Sequence, residues 1–190
     1  MEMIKILGPT VIAFAAALVG LYKYINEKNR QIYERRLNEV YAPLYGHLVA
    51  QETFRQMYMK DTPIIEVPIL TMDKTKVKAV LDLTNGSVTS ESSTETGIID
   101  RKNFTRILKD KVNSGLATPR LLIAINQYEL MVYLEESFEQ DSPEWNNATT
   151  KKIEIEYALF QAIVSGYDQT IYHLGLDGAG EVLDLESAKL

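Results

Sequence analysis

The two imidazoles of this chain, His47 and His173, lie 126 positions apart. Metal chemistry needs three or four converging ligands, and no H-E-x-x-H, H-x-H or D-x-D run is present. His173 and Asp177 stand four apart, a spacing suited to an orienting pair that crosses the expected end of a helix. Both histidines therefore read as packed or edge residues.

Carboxylates are plentiful, with Glu135 and Glu136, Glu154 and Glu156, and Glu181 and Asp184 close together in sequence. General acid and base work needs two of them across a cleft in unlike environments, and adjacent acids on a helix do not face each other. They read as solvated faces. Cysteine is absent, which excludes disulfides, thiolate nucleophiles and thiolate-held metals. Glycines fall singly at expected helix ends, at Gly86, Gly97, Gly115 and Gly166, or in the Asp177–Gly180 turn, which lacks the lysine and the strand-to-helix setting of a phosphate loop. No catalytic residue, metal site or cofactor is expected, and the chain reads as a non-enzyme.

Eleven tyrosines are the remaining chemical feature. Tyr33, Tyr41, Tyr45 and Tyr58 fall along one expected helix and Tyr157, Tyr167 and Tyr172 along another. If those helices pack together, the rings fill the interface and the hydroxyls need partners at its rim.

The elements that must position these residues begin with an anchor. Residues 6–22 form seventeen positions without a formal charge between Lys5 and Lys23. That is roughly 25 Å of helix, just enough for a hydrocarbon core. The run passes directly into Tyr22 and Lys23 with no small-x-small cleavage site, so an uncleaved transmembrane anchor is expected over 6–24, with 1–5 as a short extracytoplasmic N-terminus. Lys23, Lys28, Arg30, Arg35 and Arg36 follow, and their excess over the N-terminal flank places the rest of the chain in the cytoplasm, with this collar against anionic headgroups.

About 165 residues remain, enough for one domain with a core. The net charge of the chain is −6, and the one dense basic stretch is the collar, which argues against nucleic acid as a partner. The fold expected is mostly α: an irregular helical bundle behind the anchor. A juxtamembrane helix over 25–60 should kink at Pro43, and a helical cytoplasmic domain should fill 61–175. Within the latter, helix is expected over Met72–Leu83, a mobile loop over 86–98, and a nearly all-round apolar helix from Leu121 to Phe138 as the central element. Asp141-Ser-Pro143-Glu144 reads as a cap opening a short helical segment around Trp145. Ile153, Tyr157, Phe160, Val164, Tyr167, Ile171 and Leu174 recur at steps of four and three, and the last six form the candidate interaction or packing seam. Residues 176–190 form a tail.

The expected function is a membrane-tethered cytoplasmic helical interaction module, an adaptor, assembly factor, inhibitor or sensor, with a protein partner or a second copy of itself. The alternative is a self-associating membrane protein with a pore-related or disrupting role, using Ala13, Ala15, Ala16, Ala17 and Gly20 for close helix approach. A third is an enzyme whose site is assembled from distant, individually ordinary residues.

Overall fold

A computed structural model describes the backbone of residues 2–71, 73–82, 87–96 and 99–176, and the side chains of 13–71 and 99–176. The helices are α1 (Glu2–Arg36), α2 (Ala42–Tyr58), α3 (Arg101–Asp110), α4 (Pro119–Ser137) and α5 (Pro143–Leu174). Strands β1 (Asp73–Asp82) and β2 (Ser87–Thr96) lie between α2 and α3. The fold is a mostly helical bundle.

Pro43 shapes the first half of the chain. It has no amide hydrogen to give the carbonyl four residues earlier, and its ring crowds that carbonyl. The chain answers with a π-helical turn over Leu37–Tyr41, in which the Ala42 N–H bonds the Leu37 carbonyl. The Glu39 carbonyl accepts instead from the Asn113 N–H at 2.9 Å, so a loop between α3 and α4 supplies the missing partner. The Asn113 amide also donates to the Glu39 carboxylate at 2.6 Å, and Arg35 holds it from the other side at 2.9 Å. The widened turn carries Val40 and Tyr41 fully into the core.

Helix α5 is the central element, not α4. Eleven residues of α5 are buried against three of α4, namely Leu121, Ala124 and Tyr128. α4 packs along α5 and leaves Ile123, Leu130 and Tyr133 in solvent. A helix that is apolar on every side can serve a core or an exposed edge, and here only one face is covered. Gly166 lies inside α5, not at a helix end. A Cβ there would stand 2.3 Å from the Tyr41 ring, so the glycine is what lets that tyrosine reach the core. The Tyr41 hydroxyl then meets the Thr118 hydroxyl at 3.1 Å.

The helix ends follow local chemistry. Thr118 caps α4 through the Leu121 N–H, and Pro119 fills its first turn. Ser142 caps α5 with Pro143 next to it, so Trp145 sits in the first turn of one long helix instead of in a separate short one. α5 stops where Gly175 takes a φ of 68°. There the Leu176 N–H reaches the Ile171 carbonyl and the Gly175 N–H the Tyr172 carbonyl, satisfying the last turn.

Where a helix is expected from Met72 to Leu83, residues 73–82 form strand β1, and where a mobile loop is expected over 86–98, residues 87–96 form strand β2, while Met72 and Leu83 lie outside the described residues. They pair antiparallel from Asp73↔Thr96 to Asp82↔Ser87. The register sets Lys74, Lys76 and Lys78 opposite Glu95, Ser93 and Glu91, a period-two pattern that a strand satisfies and a helix would scatter. Gly86, Gly97 and residue 98 lie outside the described residues, as does the tail from 177, including Asp177, Glu181 and Asp184.

Candidate functional site

Two places on the molecule have properties beyond packing: the stem formed by α1, and a buried ionic cluster where α3, α4 and α5 meet.

The stem is a single helix, and every residue from 13 to 32 is exposed. Phe14, Leu18, Val19, Leu21, Tyr22 and Ile25 are among the large apolar side chains left uncovered, Phe14 at 67%. Contact with the bundle begins at Tyr33, whose ring stacks on His173 at 4.5 Å. The basic collar divides along this line. Lys23, Lys28 and Arg30 lie on the exposed stem, with Arg30 paired to Glu34 at 2.9 Å. Arg35 and Arg36 are drawn into the bundle's own bonding, Arg35 to Glu39 and Arg36 to the Leu116 carbonyl at 2.9 Å and over the Tyr33 ring. Among the described residues no helix is long and apolar enough to cross a membrane. The side chains of residues 6–12, the first part of the expected anchor, lie outside that description.

The seam residues are distributed by depth. Phe160, Val164 and Ile171 are buried, while Tyr157, Tyr167 and Leu174 are half-buried. Tyr167 stacks on Tyr45 of α2 at 3.9 Å with the rings nearly parallel, so tyrosines of the first helical arm and of α5 do meet. Burial, and next the nearby Asp168 charge, push the Tyr45 phenol up.

The ionic cluster escaped the sequence reading. Glu135 near the end of α4 receives Lys152 and Thr149 from α5, the latter at 3.3 Å, and Arg101 from the start of α3 at 3.4 Å. Arg101 also stands 3.7 Å from Glu156, one turn beyond Lys152. Lys152 and Glu156 are 4% and 2% exposed, so these charges do not form a solvated face. Burial pushes the Glu156 carboxyl up to about 7; Arg101 and Lys152 pull against this, and Glu135 adds to it. The Ile69 backbone weakly favours the charged form, and the Oε1 of this carboxyl has no hydrogen-bond partner among the described residues. Burial, and then the Glu156 charge, raise the neighbouring Tyr128 phenol. The one available signal was position: Lys152 and Glu156 continue the stripe of Ala148, Leu159 and Ile163, where a charge must be paired.

The histidines do not converge. His47 is buried on α2, bonded to Gln51 at 2.7 Å and stacked against Phe104, and burial pulls its pKa down. His173 is exposed at the foot of the stem. One turn beyond Gln51, Arg55 donates to the Thr62 and Val67 carbonyls, and Gln51 accepts from the Leu70 N–H at 3.2 Å. This polar column fastens the 59–71 segment to α2. An open, largely apolar groove of about 570 Å³ lies between the end of α4 and the first turns of α5, lined by Met131, Leu134, Phe138 and Ala148, with Glu144 and Lys151 among its polar lining. Among the described residues no three His, Asp or Glu side chains are grouped as a metal site requires. No protein-family model, no curated protein and no solved structure matches this chain.

Proposed function

We propose that this protein is a membrane-tethered helical interaction module, in which α1 holds the chain at a lipid surface and the bundle meets a protein partner. The observation that carries this reading is the unbroken exposed stretch 13–32 of α1. A helix with uncovered Phe14, Leu18, Val19 and Leu21 gains nothing from water, and lipid is the solvent that suits it. Residues 6–24 are the anchor in this reading, with the N-terminus outside and the bundle in the cytoplasm. Lys23, Lys28 and Arg30 then lie at the anionic headgroups.

The face offered to a partner is α4, where Ile123, Leu130 and Tyr133 stand in solvent near the apolar groove. Carbonate extraction of membranes carrying the full chain tests the tether: the protein stays in the pellet if the reading is right and is released if α1 only rests on the surface. Cross-linking in the same membranes tests the second half, and capture of a distinct protein through α4 is the expected result.

The self-associating reading is favoured by a different observation. Ala13, Ala16, Ala17 and Gly20 share one face of the exposed stem, and nothing stands within 4 Å of a Cβ placed on Gly20. Small residues four apart allow two helices to approach closely in lipid. Homo-oligomers cross-linked through 13–20, together with leakage from vesicles that is lost in Gly20→Leu, would select this reading over the adaptor.

A further inference from the structure

The hairpin leaves the bundle through two roots, and both run over the ionic cluster. Its pairing nearest the bundle is Asp73↔Thr96, two residues after Thr71 and three before Ile99. On the incoming side, Pro68, Ile69 and Leu70 are buried, and the Ile69 backbone comes near enough to Glu156 to weakly favour its charged form. On the outgoing side, Asp100 is buried as the cap of α3, and the next residue, Arg101, spans Glu135 and Glu156.

We propose that Glu156 is a proton-operated latch for the root of the hairpin: neutral, it stays closed beneath Ile69 and Arg101; ionised, it draws water and frees the 66–71 segment and the start of α3 from α5. The groups around it set the direction. Arg101 comes from α3, Glu135 and the Tyr128 phenol from α4, and Lys152 from its own helix. The buried ionisable groups of α2 are engaged elsewhere, His47 with Gln51 and Arg55 with the carbonyls of 62 and 67. Lys152 lies against Glu135, and Arg101 reaches Glu156 only at 3.7 Å, outside hydrogen-bond distance. An anion at Glu156 is therefore buried with its Oε1 unbonded, the costly arrangement for a charge. A proton removes that cost, and so does opening the root to water. The carboxyl titrates near neutrality for this reason.

The test is amide exchange of the full chain in detergent micelles, read by mass spectrometry in peptides covering 66–71 and 99–104 and corrected for the intrinsic pH dependence of exchange. Opening of these two segments should rise about tenfold between pH 6 and 8 and level off above, while the α5 core stays protected. In Glu156→Gln, which keeps the shape and removes the ionisation, the rise should vanish. Equal pH dependence in the two proteins, or none in the wild type, overturns the latch. A carbon-13 titration of wild-type glutamate carboxyls gives a readout independent of the variant's folding: a midpoint near 7 for Glu156 supports the proposal, and one in the ordinary range near 4 to 5 overturns it.

Discussion

Helices α1 and α5 are of nearly equal length, 35 and 32 residues, yet the chain uses them in opposite ways. α5 alternates apolar and polar positions at steps of three and four, so it has a covered side and a wet side, and the bundle is built on the former. α1 carries no formal charge from residue 6 to residue 22, and the bundle covers none of its side chains from 13 to 32. Periodicity, more than hydrophobicity, decides which long helix a globular core recruits: a stripe can be satisfied by neighbours on one side, whereas a uniformly apolar rod needs a surrounding solvent. Contact with the bundle begins at Tyr33, and the first buried residues of the helical arm, Val40 and Tyr41, follow in the π turn at Leu37–Tyr41.

The sharpest way to break the comparison is to truncate one phenylalanine in each helix. Phe160 is buried in the core cluster, and Phe160→Ala should cost about 3 to 5 kcal/mol and shift the urea midpoint of the bundle accordingly. Phe14→Ala should leave that midpoint unchanged and lower retention in lipid. A loss of bundle stability in Phe14→Ala would mean that the stem packs on the domain.

Next in size is the pH dependence of the α5 side. Glu156 carries its proton up to about pH 7 in the folded chain, whereas an ordinary glutamate releases it near 4.5. The folded state thus holds more protons between these values. The stabilisation is present in full below 4.5 and is lost as the pH rises through 7, by about 3 kcal/mol in all. Urea unfolding at pH 5 and pH 8 should show this fall in the wild type and not in Glu156→Gln.

The π turn answers to Asn113. Asn113→Ala removes the amide bonded to the Glu39 carboxylate and the carbonyl that accepts from the Gly115 N–H, while the backbone bond to the Glu39 carbonyl persists. A small drop in the thermal unfolding midpoint of the bundle is expected, because both bonds are open to solvent. A loss several times larger would show that the side chain, and not the backbone, holds the π turn in place.

Much of the helical scaffold was legible because its signals are local. Thr118-Pro119, the Ser142-Pro143 opening and the Gly175 stop act within one turn of themselves, and the α5 stripe repeats often enough to declare a covered face. The hairpin was not legible because Val77, Val80 and Leu81 satisfy a helical spacing, which competes with the period-two run Lys74, Lys76 and Lys78. The apolar run of α4 is ambiguous for a related reason: being apolar all round says that a helix can be buried, not that neighbours are available to bury it. The ionic cluster was the least legible feature. Glu135, Lys152, Glu156 and Arg101 come from three helices and are ordinary surface residues until the topology brings them together. Only the intrusion of Lys152 and Glu156 into the apolar stripe of α5 hinted at their pairing.

The smallest expected effect on stability separates the two halves of the basic collar. Lys23, Lys28 and Arg30 lie on the exposed stem, and the ion pair that Arg30 makes with Glu34 is open to solvent, where such pairs contribute little. Replacing all three with glutamine should leave the unfolding midpoint of the bundle within experimental scatter. The same triple variant should weaken binding to vesicles containing anionic lipid by about 1 kcal/mol per charge, and the difference should shrink as salt is raised. Arg36 should behave in the opposite way. Its guanidinium donates to the Leu116 carbonyl and lies over Tyr33, so Arg36→Gln should lower bundle stability and change vesicle binding less than a stem charge does. If both substitutions affect only lipid binding, the membrane side extends to Arg36 and the division at Tyr33 is wrong. If both affect only stability, the stem charges belong to the bundle and the lipid reading loses its electrostatic support.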